Sequence, residues 1–165
     1  MIKLFFIILG AALVQMTIVA ASSWHGAAPN ILPAVLAVAA FETGAYHLLL
    51  PGVLAAGIAL DSLSVLPFGA LMFALVTTVG ALAIAATFLP HRALWHCMIF
   101  SAVAAAVYDG ATAIFAYSFA FVAGNDAAPG IDIGLFRVAR DILVVFLSVA
   151  ILYPFRAFLA KPALP

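Results

Sequence analysis

Charged side chains are scarce in this sequence. Only six basic and six acidic residues occur among 165, so charged residues make up 7% of the chain and hydrophobic residues 68%. A soluble domain has about 25% charged residues, and a globule of this size needs polar groups to cover its surface. The composition therefore excludes a soluble enzyme, a disordered tail and a coiled coil. The even balance of charge also leaves no basic patch for a nucleic acid.

Cysteine is nearly absent, and the histidines are not grouped. With Cys97 as the one cysteine, the chain can form no intrachain disulfide and no cysteine-based zinc site. His91 and His96 are five residues apart, which is not the i, i+4 spacing of a helical ligand pair, while His25 and His47 stand alone. We expect no metal site, and we expect all four histidines at the membrane–water interface.

Catalytic motifs are missing too. The sequence has no nucleophile elbow, HExxH segment, glycine-rich phosphate loop or pair of neighbouring carboxylates. The serines Ser62, Ser64 and Ser118 have no base near them in the sequence. We therefore expect no enzymatic activity, no catalytic residue and no cofactor.

Long apolar runs, by contrast, are abundant. A helix that crosses a bilayer needs about 20 mostly apolar residues, and the first uncharged run, from Leu4 to Phe41, is long enough for two. Polar, glycine and proline residues divide the rest of the chain in the same way. The pattern predicts an all-α, polytopic membrane helical bundle that forms a single domain over residues 1–165. The six predicted transmembrane helices cover approximately residues 2–22, 30–45, 48–61, 69–89, 94–122 and 134–159.

Some of these helices allow a second interpretation. The second and third are short, so a re-entrant or interrupted pair is an alternative. Residues 1–23 also resemble a signal peptide, because Lys3 precedes an apolar stretch that ends in Ala20-Ala21-Ser22. A single lysine and a long apolar stretch favour a retained first helix instead. Pro154 is expected to bend or end the last helix.

Basic residues in short loops mark the cytoplasmic side of a membrane protein. With six spans and the N-terminus inside, the acidic segment 124–133 falls outside and most basic residues fall inside. The inside residues are Lys3, Arg92, Arg156 and Lys161. We therefore expect a multi-pass protein with both termini in the cytoplasm, and Arg137 and Arg140 as exceptions at the outer end of the last helix.

Small residues repeat every fourth position on three of the predicted helices, a spacing that lets membrane helices approach closely. The ladders are Ala102, Ala106 and Gly110 on the fifth helix, Ala70, Ala74 and Thr78 on the fourth, and Ala55 and Ala59 on the third. Packing inside the bundle is one interpretation of these ladders. A surface for an oligomer or a partner is the other.

Charged residues within apolar helices need a partner or a neutral state. Asp109 lies near the middle of the fifth helix, where structural pairing, a partner contact and ion movement are all open interpretations. Arg137, Arg140 and Asp141 cluster at the start of the last helix, and Arg137 and Asp141 share a helix face. The cluster is expected to lie at the outer interface, or to contact Asp61 or Asp109.

Asp61 is expected at the end of the third helix, in a structural role. Its carboxylate can accept hydrogen bonds from nearby backbone N–H groups, such as that of Ser64. A pair with Arg137 or Arg140 is the alternative.

Residues 29–71 carry a series of motifs. Pro29-Asn30 precedes the second helix, Gly57-Ile58-Ala59-Leu60-Asp61 ends a third helix that also contains Gly52, and Pro67-Phe68-Gly69 leads into the fourth. The series resembles the MreD family of rod shape-determining membrane proteins. That family has a proline with Asp or Asn before its second helix, a glycine-rich third helix ending in G-x-x-x-D, and a glycine at the start of the next. The close of the last helix, Tyr153-Pro154 followed by Arg156, is similar as well.

The resemblance implies a non-catalytic subunit of the cell-shape and peptidoglycan elongation machinery in the bacterial cytoplasmic (inner) membrane. Its partners would be the lipid bilayer, an MreC-like scaffold bound through the transmembrane helices, and the nearby RodA/transpeptidase complex. The fold would resemble the substrate-binding subunit of energy-coupling-factor transporters, with no obligatory small-molecule ligand. The structural or partner candidates are Gly57, Asp61, Gly69, Ala106, Asp109, Gly110, Arg137, Arg140 and Asp141.

That structural likeness supplies an alternative function, a vitamin-type binding subunit of an energy-coupling-factor transporter. Such a subunit needs an outer pocket with polar anchors. The sequence offers Asn125, Asp126 and Asp132 in the outer loop, together with Trp24. Ala55 and Ala59 would then face the energising partner.

Overall fold

The structure of the protein is a computed structural model that describes residues 2–21, 30–44, 46–64, 66–88, 94–122 and 135–155. Within these ranges every regular element is helical, which confirms the all-α prediction. The helices are α1 (Ile2–Ala21), α2 (Leu32–Thr43), α3 (Leu50–Leu63), α4 (Ala70–Phe88), α5 (Leu94–Val122) and α6 (Leu135–Leu152). Two short 3-10 turns, Tyr46–Leu48 and Tyr153–Phe155, follow α2 and α6.

The helix bounds follow the sequence pattern closely, with one marked difference. α5 has the predicted bounds, and Pro154 lies in the 3-10 turn that ends α6, well before the predicted residue 159. Among the residues whose side chains the structure describes, two helices, Ala70–Phe88 and Trp95–Val122, are long and apolar enough to cross a membrane. These two helices support the prediction that the protein is a membrane protein. The number of six spans and their orientation stay predictions.

Prolines and one glycine explain where α2 and α3 begin and end. Pro33 and Pro51 occupy the first turns of α2 and α3, where a missing N–H leaves no hydrogen bond unmade. α2 ends at Gly44, whose φ of +59° is left-handed and whose N–H donates to the Ala40 carbonyl at 2.9 Å. A glycine accepts this conformation without a steric penalty.

α2 is the centre of the bundle. Every residue from Leu32 to Phe41 is buried, and the helix packs against α1, α4, α5 and α6. A helix that is apolar on all sides is stable only when it is surrounded. The other helices lie around it in the packing order α1, α3, α4, α5, α6.

Two glycines of α3 lie against different neighbours. A Cβ at Gly52 would lie 3.1 Å from Ile8 Cδ1 of α1, and a Cβ at Gly57 would lie 2.7 Å from Met72 Cα of α4. Gly52 thus lets the start of α3 approach the first half of α1, and Gly57 lets the middle of α3 approach the start of α4.

Candidate functional site

The Asp61 carboxylate holds the start of α4. Its Oδ1 accepts the N–H of Leu71 at 2.9 Å, and its Oδ2 accepts the N–H groups of Gly69 and Met72, both at 3.1 Å. The residue is buried, with 4% of its surface exposed. The first N–H groups of a helix have no partner within the helix, and they form its positive end. Three N–H groups and this positive end together compensate the buried acidic side chain.

Gly57 and Gly69 make this cap geometrically accessible. Gly57 lies one turn before Asp61, and its missing side chain lets α3 approach Met72, the residue whose N–H bonds to the carboxylate. Gly69 has a φ of +96°, a conformation that other residues adopt only with strain, and it turns the chain into α4. The G-x-x-x-D element and the following glycine thus form one structural unit, the α3–α4 hairpin.

The structural role expected for Asp61 takes a different form from the one that the sequence suggested. The N–H of Ser64 donates to the backbone carbonyl of Asp61 at 3.4 Å, and the donors to the carboxylate lie eight to eleven residues downstream. The sequence could not show this, because the path of the connection sets which N–H groups reach the carboxylate. The expected pairs with Arg137 and Arg140 involve side chains outside the described residues.

A second cap, not predicted from the sequence, holds the start of α2. The Oε1 of Gln15 on α1 accepts the N–H groups of Ile31 at 2.8 Å and Leu32 at 3.1 Å. Its Nε2 donates to Asn30 Oδ1 at 2.6 Å. Ile31, the N-cap residue, has no side-chain acceptor of its own, so α1 supplies one. A single amide in an otherwise apolar helix was the available signal, because such a group must find a partner in the bundle.

The small-residue ladders divide into an inner and an outer set. Ala70, Ala74 and Thr78 on α4 are all buried and belong to the packing inside the bundle. On α5, by contrast, Ala106 is exposed, and Ala102 and Gly110 are half-buried. No atom of the described residues lies within 4 Å of a Cβ built at Gly110. Ala55 and Ala59 on α3 are half-buried. We name Ala102, Ala106 and Gly110 the α5 outer ladder.

The remaining charged candidates are only partly described. Asp109 is half-buried in α5, next to Gly110. Arg137, Arg140 and Asp141 lie in the first two turns of α6, as expected, but their side chains are outside the described residues. The outer-loop candidates, Trp24, Asn125, Asp126 and Asp132, also lie outside them.

The histidines differ from one another in environment. His47 is exposed, whereas His96 is buried and its Nδ1 has no hydrogen-bond partner. Burial of His96 says which side chains surround it and not its depth in a membrane, so the interface position expected for the histidines stays a prediction. His25 and His91 lie outside the described residues.

Tyr46, in the turn between α2 and α3, is a second residue with an unsatisfied buried atom. Its hydroxyl has no hydrogen-bond partner, and burial raises the pKa of the phenol above its ordinary value.

In the described ranges, no three histidine, cysteine or acidic side chains lie together as metal ligands would. The polar groups whose partners are described above serve helix ends. Comparisons with protein-family models, with curated proteins and with solved structures gave no match to this chain. The interpretation of its function therefore depends on its own residues.

Proposed function

We propose that the protein is a non-catalytic, multi-pass subunit of the cell-shape and peptidoglycan elongation machinery, similar to MreD. It lies in the bacterial inner membrane with both termini in the cytoplasm. It binds an MreC-like scaffold through its transmembrane helices, close to the RodA/transpeptidase complex.

The residues that carry the resemblance form one structural element, and this observation supports the proposal. Gly57, Asp61 and Gly69 lie in one hairpin, where a close approach, a cap and a turn depend on one another. A family motif made of such residues specifies a shape, and the carboxylate at its centre already accepts three backbone hydrogen bonds. Such a motif fits a scaffold subunit better than a reactive site.

The α5 outer ladder is the surface where we place the scaffold contact. In lipid, helices associate through close packing of small residues, because apolar lipid chains remove the hydrophobic driving force. Ala106 is exposed on one of the two helices that can cross a membrane. The buried ladder on α4, Ala70, Ala74 and Thr78, offers a matched internal control.

Co-purification with an MreC-like protein encoded beside this chain tests the proposal. Ala106→Leu and Gly110→Leu should release the scaffold while the chain still elutes as a folded species. Ala74→Leu, at a fully buried site, should instead lower the amount of folded chain. Retention of the scaffold by both α5 variants would contradict the proposed surface.

Absence of co-purification of the unmodified chain with any such scaffold would contradict the proposed function. A metabolite that raises the melting temperature, together with loss of that effect after mutation of Asn125, Asp126 and Trp24, would instead favour the vitamin-binding alternative.

A further inference from the structure

The C-terminal end of α5 extends beyond the helix that packs beside it. α5 has 29 residues, which corresponds to about 43 Å. Phe115 marks the level at which α4 begins, because its ring lies 5.6 Å from that of Phe73 and close to Gly69. Residues 116–122 therefore continue for about 10 Å past the start of α4. We name these residues the α5 extension.

The α5 extension is exposed on nearly all sides. Tyr117, Ser118 and Phe119 are exposed, as are Phe121 and Val122, at 87% and 84%. Successive helical residues point about 100° apart, so these side chains cover most of the circumference. Ala116 is buried, and the chain carries no charge from Gly110 to Val122.

This pattern of exposure indicates what surrounds the α5 extension. A folded partner helix covers one side of a helix and leaves a polar strip on the other. The end of α5 is apolar, is exposed in most directions and carries three aromatic rings among seven residues. These features fit a fluid, apolar environment.

We propose that the α5 extension is an interfacial anchor, immersed at the boundary between lipid headgroups and acyl chains. The inference rests on the membrane placement in the proposed function. α4 has 19 residues, which gives about 28 Å and matches a hydrocarbon core of about 30 Å. The two interfacial layers together add about 10–15 Å to this core, half of it on each side, so the first residues of the α5 extension lie in one layer and Phe121 and Val122 reach its outer boundary. α5 packs along α4, so it cannot tilt into the core independently.

A pair of tryptophan probes tests this position. Phe119 is exposed in the α5 extension, about 6 Å past the start of α4, and Ile84 is exposed on α4, about 7 Å from the midpoint of that helix. Ile84→Trp and Phe119→Trp are made separately in a Trp24→Phe, Trp95→Phe background and reconstituted in phosphatidylcholine vesicles. The vesicles carry bromine either near the headgroup or near the bilayer centre, and acrylamide reports access to water.

We expect Phe119→Trp to lose fluorescence mainly with shallow bromine and little with acrylamide. Ile84→Trp should respond more to deep bromine. Strong quenching of Phe119→Trp by acrylamide, without quenching by bromine, would overturn the anchor, as would protection from both quenchers. If Ile84→Trp is also insensitive to every brominated lipid, the membrane placement itself fails, so the two failures are distinguishable. Ser118→Trp, at another exposed position of the α5 extension, replaces Phe119→Trp if that variant does not fold.

Discussion

Two helices of this bundle start on a cap from another helix, and the two capping side chains differ in chemistry. α4 starts on the carboxylate of Asp61, whereas α2 starts on the amide of Gln15. Both caps come from the preceding helix, so neither helix start is satisfied by its own N-cap residue.

The difference in chemistry follows from the groups that each helix start presents. Both capping side chains are buried, Gln15 at 7% exposed and Asp61 at 4%, so burial does not distinguish them. α2 presents two N–H groups beside the acceptor oxygen of Asn30, so an amide, which both accepts and donates, fits there. α4 presents three N–H groups, enough to compensate a carboxylate.

The largest effect should come from removing the charged cap. Asp61→Ala leaves three N–H groups without their acceptor, and we expect a loss of about 3 kcal/mol in the free energy of unfolding. Asp61→Asn is the matched control, since it keeps one acceptor oxygen and should lose less. Denaturant titration in detergent micelles measures both. Equal stability of Asp61→Ala and the unmodified protein would show that the cap contributes nothing.

The two caps also differ in how their helices approach each other. The Asp61 cap depends on the close approach at Gly57, and no described glycine has that role at the Gln15 cap. Gly57→Ala places a Cβ 2.7 Å from Met72 Cα, so the hairpin must open, at a cost of about 2 kcal/mol. Gly80→Ala is the control, because nothing lies within 4 Å of that position. Its small helix-propensity gain should leave stability unchanged or slightly higher.

A mutant cycle tests whether Gly57 acts through Asp61. If Gly57 serves to bring Asp61 to α4, the double variant with Asp61→Ala should lose less than the two single losses combined. Strictly additive losses in the free energy of unfolding would show that the close approach at Gly57 stabilises the protein independently of the Asp61 cap.

Removal of the neutral cap should have a smaller effect. Gln15→Met keeps the volume of the side chain but leaves the N–H groups of Ile31 and Leu32 without an acceptor. We expect a loss of about 1–2 kcal/mol, measured by the same titration. A loss larger than that of Asp61→Ala would reverse the ranking of the two caps.

The smallest effect should have the opposite sign. The hydroxyl of Tyr46 is buried without a partner, so Tyr46→Phe should leave stability unchanged or raise it by up to about 1 kcal/mol. Because burial raises the pKa of this phenol, Tyr46 stays protonated to a higher pH in the folded state than in the unfolded state. Stability therefore falls as pH rises above about 10 in the unmodified protein, and Tyr46→Phe should lack that part of the fall. Identical pH profiles would contradict this.

Most of the helix pattern could be predicted from the sequence, because prolines, glycines and polar breaks act locally. α5 begins and ends where hydropathy indicates, and Pro33 lies in the first turn of α2. Asp61 was conspicuous, since a carboxylate in an apolar segment needs compensation. Gln15 was not, because an uncharged amide disturbs hydropathy little.

Contacts between helices could not be predicted in the same way. Identical four-residue ladders are buried on α4 and partly exposed on α5, and only the packing of neighbours distinguishes them. The donors to Asp61 likewise depend on the path of residues 64–69, which spacing alone does not specify.

The short length of α2 has a consequence for its backbone. Its 12 residues extend about 18 Å, less than a bilayer core of about 30 Å. In a bilayer, at least one end of such a helix would lie out of reach of water, where an unpaired N–H group is costly. Gln15 supplies the acceptor that water cannot, so one side chain of the first helix allows a short central helix to begin inside an apolar layer.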